Sequence, residues 1–253
     1  MTLTIIVPAY NEEKRIGSML QEYCSYFSKI KGTQIFVVLN GCRDNTLDVV
    51  KKSAKKYKFV KYIDIKEAIG KGGALIEGLK RTKGEFVGYA DADGATSPEE
   101  FYKLISYLKE YDGAIASRWM PGAVVEPKQP LKRRIASRAF NMLVGILFRL
   151  HYYDTQCGCK LFRRTAINSV ITSLSTTRWA FDLDLLYQLK RKNCSVIEVP
   201  TVWKDKSGSV LDTMNVKKVS MEMFLAIVRL RLTYSPFKFI VTIYNKLADV
   251  FKN

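Results

Sequence analysis

Asp91 and Asp93, separated by Ala92, close the apolar run EFVGYA and precede a turn and helix start, Gly94 to Glu100. Two carboxylates projecting from a strand end are hard oxygen ligands suited to Mg²⁺ or Mn²⁺. Such an ion would bridge a nucleotide's phosphates and neutralise a departing diphosphate. Aspartates are also ordinary turn residues, so the spacing alone leaves a structural role open. The first apolar run ends in VPAYNEE. Structurally, Asn11 can cap the following helix, with Glu12 and Glu13 at its positive end. Functionally, Pro8, Ala9 and Tyr10 make a backbone shelf and aromatic wall for a nucleobase, and Glu12 reaches the ribose or base. A third segment, Gly70, Lys71, Gly72, Gly73 and Ala74, opens a helix, where the glycines would let backbone N–H groups and Lys71 approach a phosphate. It matches neither the Walker A pattern nor the dinucleotide fingerprint, and a flexible turn reads equally well.

The elements that must position these residues alternate. LTIIVP, QIFVVL, FVKYIDI and EFVGYAD read as strands, and between them lie helices from about Glu12, from Asn45 and from Gly72. That alternation predicts an α/β fold with a mostly parallel sheet flanked by helices. Ligands of such sheets bind at the carboxyl ends of the strands, where Pro8 to Asn11, Asn40 to Asp44 and Asp91 to Asp93 fall. Met120 to Arg138, rich in proline and then basic, reads as a mobile loop entering an apolar helix from Ala139 to Leu150. A strand around Lys160 to Phe162, a helix around Asp182 to Lys192, the strand SVIEVP and two helices complete the chain. The expected division is a catalytic domain over 1–234 and a C-terminal amphipathic helix over 235–253. In that tail Ile240, Ile243, Leu247 and Val250 recur at helical spacing. It suits a helix packed on the domain and an interfacial membrane helix equally.

With 253 residues, 47% of them hydrophobic, the chain can bury a substantial core, which excludes a disordered or fibrous protein. A formal net charge of +17 points to an anionic partner: nucleic acid, a phosphorylated substrate or an acidic lipid surface. No recognition motif interleaves aromatic and basic residues on one face, so nucleic acid is not the expected partner. Five cysteines without a repeating frame fit reduced thiols. Cys157, Cys159 and the single histidine, His151, lack a fourth zinc ligand. No stretch reaches the roughly 20 apolar residues that span a bilayer, and Met1 leads into the first strand without a secretory pattern. The expectation is a cytoplasmic protein lying peripherally on a membrane, with the basic cluster between Lys128 and Arg138 as its docking edge.

In their order, GKGGALIEGL, DADGAT, the Ser117-Arg118 pair, DTQCGCKLF, RWAFDLDLL and VIEVPTVWKDKSGS resemble the family 2 glycosyltransferases of GT-A fold, specifically the dolichyl-phosphate glucosyltransferase and mannosyltransferase group. DADGAT, DTQCG and WAFD are more similar to the glucosyl branch. The resemblance implies an inverting, metal-dependent transfer of a hexose from a nucleotide sugar, UDP-glucose-type favoured, to dolichyl or polyprenyl phosphate. It places Asp91 and Asp93 at the metal, and Pro8, Tyr10, Glu12, Asp44, Asp91 and Ala92 at the nucleotide. Gln156, Lys160, Trp179, Asp182 and Asp184 would line the sugar and acceptor side, and Arg118, Arg133 and Arg138 would bind phosphate.

A lipid phosphate is largely anionic at neutral pH, so no strong general base is needed. Were the acceptor a sugar hydroxyl, Asp182 or Asp184 would have to serve as base. Where the family carries two aspartates after its second strand, this chain has Leu39 and Asn40; Asn40 can still accept a hydrogen bond at the nucleotide. Asp184 stands for the usual glutamate and Cys159 for the usual aromatic. The alternatives are a GDP-mannose-dependent dolichyl-phosphate mannosyltransferase and a glycosyltransferase with a hydroxyl acceptor.

Overall fold

The structure, a computed structural model, describes residues 1–127, 131–174, 180–204, 216–236, 239 and 241. Its first half follows the expected alternation: β1 (Leu3–Ala9), α1 (Ile16–Phe27), β2 (Thr33–Asn40), α2 (Thr46–Lys56), β3 (Val60–Ile65), α3 (Gly70–Arg81) and β4 (Phe86–Ala90). Then come α4 (Pro98–Tyr107), β5 (Gly113–Ser117), β6 (Val124–Glu126), α5 (Leu131–Phe148), β7 (Cys159–Arg163), α6 (Arg164–Val170), α7 (Phe181–Arg191), β8 (Val196–Pro200), β9 (Val202–Lys204) and α8 (Val216–Thr233).

Seven strands form one sheet in the order β3-β2-β1-β4-β7-β5-β8. Its pairings are parallel except where β7 runs antiparallel between β4 and β5. The central strand β1 is buried along nearly its whole length, as a strand covered on both faces must be. Period-2 alternation sorts its side chains. Leu3, Ile5 and Val7 join Met19, Leu20, Phe101 and Leu104 of α1 and α4 on one face, while Ile6 joins Leu75 and Leu79 of α3 and Leu185 and Leu189 of α7 on the other. Because β1, β2 and β4 are parallel neighbours, their carboxyl ends emerge side by side.

Two local expectations change. The helix after β1 begins at Ile16 without a side-chain cap. Asn11 is not that cap: it has a positive φ of 54°, and its Oδ1 accepts from Arg43 N at 2.8 Å. In the middle stretch, α5 begins at Leu131 rather than Ala139, so the basic cluster from Lys132 to Arg138 is carried on a helix instead of a loop. Leu131, Ile135, Met142 and Ile146 share one exposed face of α5, whereas Val144 and Phe148 bury into the core. The amphipathic tail expected beyond Ser235 lies largely outside the described residues.

Candidate active site

The loops after β1 and β2 are laced together. Thr46 Oγ1 accepts from Glu12 N at 2.7 Å, Asp44 Oδ2 from Glu13 N at 3.1 Å, and Glu13 Oε2 from Asn45 N at 3.0 Å. Asp44 Oδ1 takes the Thr46 hydroxyl and N–H. Burial alone would raise the Asp44 carboxyl, but the bonds from Thr46 and Glu13 hold it below the usual carboxylate range. Both Asp44 oxygens therefore fasten the crevice wall. Above that wall Pro8 is half-buried, Ala9 buried and Tyr10 exposed, leaving a ring free to face a ligand. Glu12 is gripped by Arg15 in a fork, Nε to Oε2 and Nη2 to Oε1, each 2.7 Å. Burial raises its carboxyl, and the nearby charges of Asp93 and Asp91 add to that rise against the pull of Arg15.

From β2, Asn40 Oδ1 accepts from Ile69 N at 2.7 Å and so fixes the entry to α3. Gly41 lies against that entry with φ of 67°, where a Cβ would stand 2.7 Å from Ala68 N. Gly70, with φ of 79°, turns the chain into the helix. Gly72 is buried there, and Lys71 projects from the first turn to place its Nζ 2.6 Å from Asp91 Oδ1.

Asp91 is about a third exposed at the end of β4, and Ala92 is buried beneath it. Asp93 turns back through Gly94, φ 69°, and its Oδ1 accepts from Ala95 N at 2.9 Å. Burial first and the charge of Asp91 second push the Asp93 carboxyl up, so two like charges are held close where solvent screens them little. This donor set fits a hard divalent ion. Among the described residues no group of three or more His, Cys, Asp or Glu side chains is placed to hold a metal. Phosphate oxygens and water would therefore complete the coordination of an ion held by Asp91 and Asp93, as is usual for Mg²⁺ on phosphorylated substrates.

Beneath this rim lies a buried ion pair. Lys160, fully buried on β7, reaches Asp182 Oδ1 at 2.6 Å and Cys157 O at 2.5 Å. Tyr89 donates to the same Asp182 oxygen at 2.5 Å. Burial would raise the Asp182 carboxyl, but Lys160 and Lys71, with the hydrogen bonds from Lys160 and Tyr89, keep it low. Asp184, two residues further along α7 and on its opposite side, is fully buried and accepts from Tyr234 OH at 2.9 Å. The Lys160 ammonium thus lies under the crevice, not in it, and both α7 aspartates are bonded inside the protein.

A second buried network closes the far wall. Arg118 clasps Asp154 through Nε at 2.7 Å and Nη2 at 3.0 Å, with its guanidinium carbon 5.4 Å from the centre of the Trp203 ring. Asp154 also accepts from Gln156 N at 3.1 Å, and Glu198 on β8 accepts from the backbone N–H groups of Tyr153 and Asp154. The Gln156 side chain is half-buried and Arg138 exposed on α5. Trp179 lies outside the described residues, as does the side chain of Arg133. Asp154, Glu198, Tyr89, Thr46 and Trp203 were not candidates from the sequence. A charged residue inside the apolar strand VIEVP was the one local signal, since acids are rarely buried unless bonded.

A shallow cavity of about 360 Å³ lined by Leu79, Lys80, Thr82, Lys83, Arg164, Asn168 and Ile171 lies at the opposite end of β4 and includes none of these residues.

The family model described as "Glycosyl transferase family 2" matches residues 4–171. A dolichyl-phosphate beta-glucosyltransferase of Drosophila melanogaster is 37% identical over 226 residues, covering 83% of this chain and 69% of its own length. Its counterpart in Homo sapiens is 35% identical over 225 residues, with the same two shares of 83% and 69%. The crystal structure of glucosyl-3-phosphoglycerate synthase from Mycobacterium tuberculosis in complex with Mn²⁺, UDP and glucosyl-3-phosphoglycerate aligns with a TM-score of 0.66 over 92% of this chain and 79% of that one, at 17% identity. That likeness is one of fold, the GT-A arrangement of a mostly parallel sheet with its ligand crevice at the strand ends. A family match that runs from β1 through α6, over the strand ends that carry Glu12, Asp91 and Asp93, identifies the chain as a member of glycosyl transferase family 2.

Proposed function

We propose that this glycosyltransferase moves glucose, with inversion, from UDP-glucose to dolichyl or a related polyprenyl phosphate at the cytosolic face of a membrane, using Mg²⁺ or Mn²⁺. The names and similarity of its relatives support donor sugar and acceptor class. The observation that carries the acceptor reading is the state of the two α7 carboxylates. Asp182 is bonded to Lys160 and Tyr89 and Asp184 to Tyr234, so neither stands ready to take a proton from a hydroxyl. A phosphate acceptor is already ionised and needs none taken.

In this reading Asp91 and Asp93 hold the metal, which when bound neutralises the charge that builds on the leaving diphosphate. Pro8, Ala9 and Tyr10 seat the base, Lys71 and the amino end of α3 meet phosphate, and Asn40 and Asp44 act by holding the walls that carry them. Arg118, Gln156, Arg133, Arg138 and Trp179 belong to the acceptor side. What the protein contributes is alignment of the acceptor oxygen with the anomeric carbon and a preset field for the departing charge.

The membrane reading draws on α5, where exposed Leu131, Ile135, Met142 and Ile146 are interspersed with exposed Arg134 and Arg138. On α8, which touches α5, Met221, Phe224 and Leu225 are exposed. Apolar faces rimmed by arginine suit an anionic interface. Among the described residues no helix is long and apolar enough to cross a membrane.

The test is transfer to polyprenyl phosphate in detergent or bilayer, with Mn²⁺ or Mg²⁺, from UDP-glucose, UDP-N-acetylglucosamine and GDP-mannose offered separately. Product from UDP-glucose alone is expected. Product from GDP-mannose in its place would overturn the donor, and no lipid product from any donor would overturn the acceptor.

A further inference from the structure

Resting on the proposed metal role of Asp91 and Asp93, the contact between Lys71 and Asp91 leads one step further. The two groups are 2.6 Å apart and each about a third exposed, so the ammonium occupies one of the oxygens that a divalent ion would need. Its position is built by the fold. Asn40 anchors Ile69 N, Gly41 admits Ala68 at a distance no side chain allows, and Gly70 aims the first turn of α3 at the end of β4. Asp91, Asp182 and Asp93 all draw on the Lys71 charge. The neighbouring cation Lys160 is fully buried and engaged by Asp182, and Arg15, whose charge also acts on Asp93, is gripped by Glu12, so Lys71 is the cation in direct contact with Asp91.

An ammonium and a divalent ion repel one another and cannot share Asp91 Oδ1. A diphosphate arriving at the amino end of α3, however, would meet that same ammonium on a flexible four-carbon stem. The geometry points to Lys71 as a resident stand-in for the divalent ion, holding Asp91 while the nucleotide is absent and swinging onto the diphosphate when it arrives. Metal and nucleotide then enter as a coupled pair: the ion binds weakly to the empty crevice, and the nucleotide frees its ligand. The same contact relieves the repulsion between Asp91 and Asp93 in the unloaded enzyme.

Mn²⁺ binding read by the loss of its free EPR signal tests this, without and with UDP, in wild type, Lys71→Met, Lys71→Gln and Lys71→Arg. The neutral variants are expected to bind Mn²⁺ alone on the order of tenfold more tightly than wild type, and to show a smaller gain on adding UDP. Lys71→Arg should keep the weak wild-type binding. Either folded neutral variant binding Mn²⁺ alone no better than wild type would overturn the stand-in role while leaving the metal site intact. If wild type takes up no Mn²⁺ even with UDP, or if Asp93→Asn binds as wild type does, the metal reading itself fails and this inference with it.

Discussion

Gly158 lies across the ladder from Asp91, one step beyond the Ala90 and Cys159 pair of β4 and β7, and a Cβ placed there would stand 1.8 Å from Asp91 Oδ2 and 2.2 Å from its Cγ. The carboxylate at the crevice rim therefore rests on bare backbone, and its direction depends on the residue opposite having no side chain.

Gly158→Ala is expected to swing the Asp91 carboxylate away from Lys71 and Asp93. An aspartate can yield, so the stability cost should stay at or below about 1–3 kcal/mol, the range for an added methyl in a packed site. Turnover and Mn²⁺ affinity in the presence of UDP should fall far more. A metal titration of activity beside a thermal melt checks this, and wild-type metal dependence would contradict it.

Asp93→Asn should lower turnover by about a hundredfold or more without unfolding the protein. Burial and the charge of Asp91 work against the ionised Asp93, so a neutral isostere is expected to be at least as stable as wild type. Denaturant midpoints and initial rates measured on one preparation separate the two effects. A variant that is both slow and markedly less stable would argue for a structural carboxylate.

Asp182→Asn strands the fully buried Lys160 ammonium without its counter-charge and should destabilise the fold by about 3–5 kcal/mol. Asp184→Asn, by contrast, keeps an acceptor for Tyr234 OH and should retain partial transfer to a phosphate acceptor. Abolished transfer in a fully folded Asp184→Asn would favour a hydroxyl acceptor and a base at that position.

Acid should unfold the protein through Asp154 and Asp182. The carboxyl of each is held below its ordinary value of 3.8, against the effect of burial, by Arg118 in one case and Lys160 in the other. A carboxylate whose folded pKa is depressed contributes stability that is present above the unfolded value and lost as pH falls through the folded one. Stability from these two groups is thus expected to be level above about pH 5 and to decline below about pH 4. Urea midpoints taken between pH 3 and 7 check it; Arg118→Met should flatten the decline.

Replacing Ile135, Met142 and Ile146 together with serine should weaken binding to anionic liposomes, with little change in solubility or melting temperature, because these side chains contact water in the free protein. Added salt should weaken wild-type binding through the arginines while leaving the apolar contribution. Sedimentation with liposomes of graded anionic content reads both, and unaltered sedimentation of the triple variant would remove α5 from the interface.

Much of the crevice was legible in the chain because its carriers are local. β1, β2 and β4 announce themselves by apolar runs, and each ends in the polar residues that line the rim. The α3 opening is written in consecutive glycines. What stayed hidden depends on partners far away in sequence: Asp154 finds Arg118, Glu198 finds the 153–154 backbone, and Lys160 finds Asp182. Periodicity reports which face a residue takes and not which charge it will meet. Lys160, which the resemblance assigns to the acceptor side, is fully buried and paired with Asp182. Asn11 misled because an asparagine suits a left-handed turn as well as a cap, and its acceptor went to the neighbouring loop.

The antiparallel β7 sits between β4 and β5, although it follows both in the chain. A ribosome that has released residues only as far as about 150 has made β1 to β6, yet β4 and β5 still present unpaired edges to the cell. The nascent chain is thus prone to sticking until Cys159–Arg163 slides in between β4 and β5 and Val196–Pro200 covers the other edge of β5.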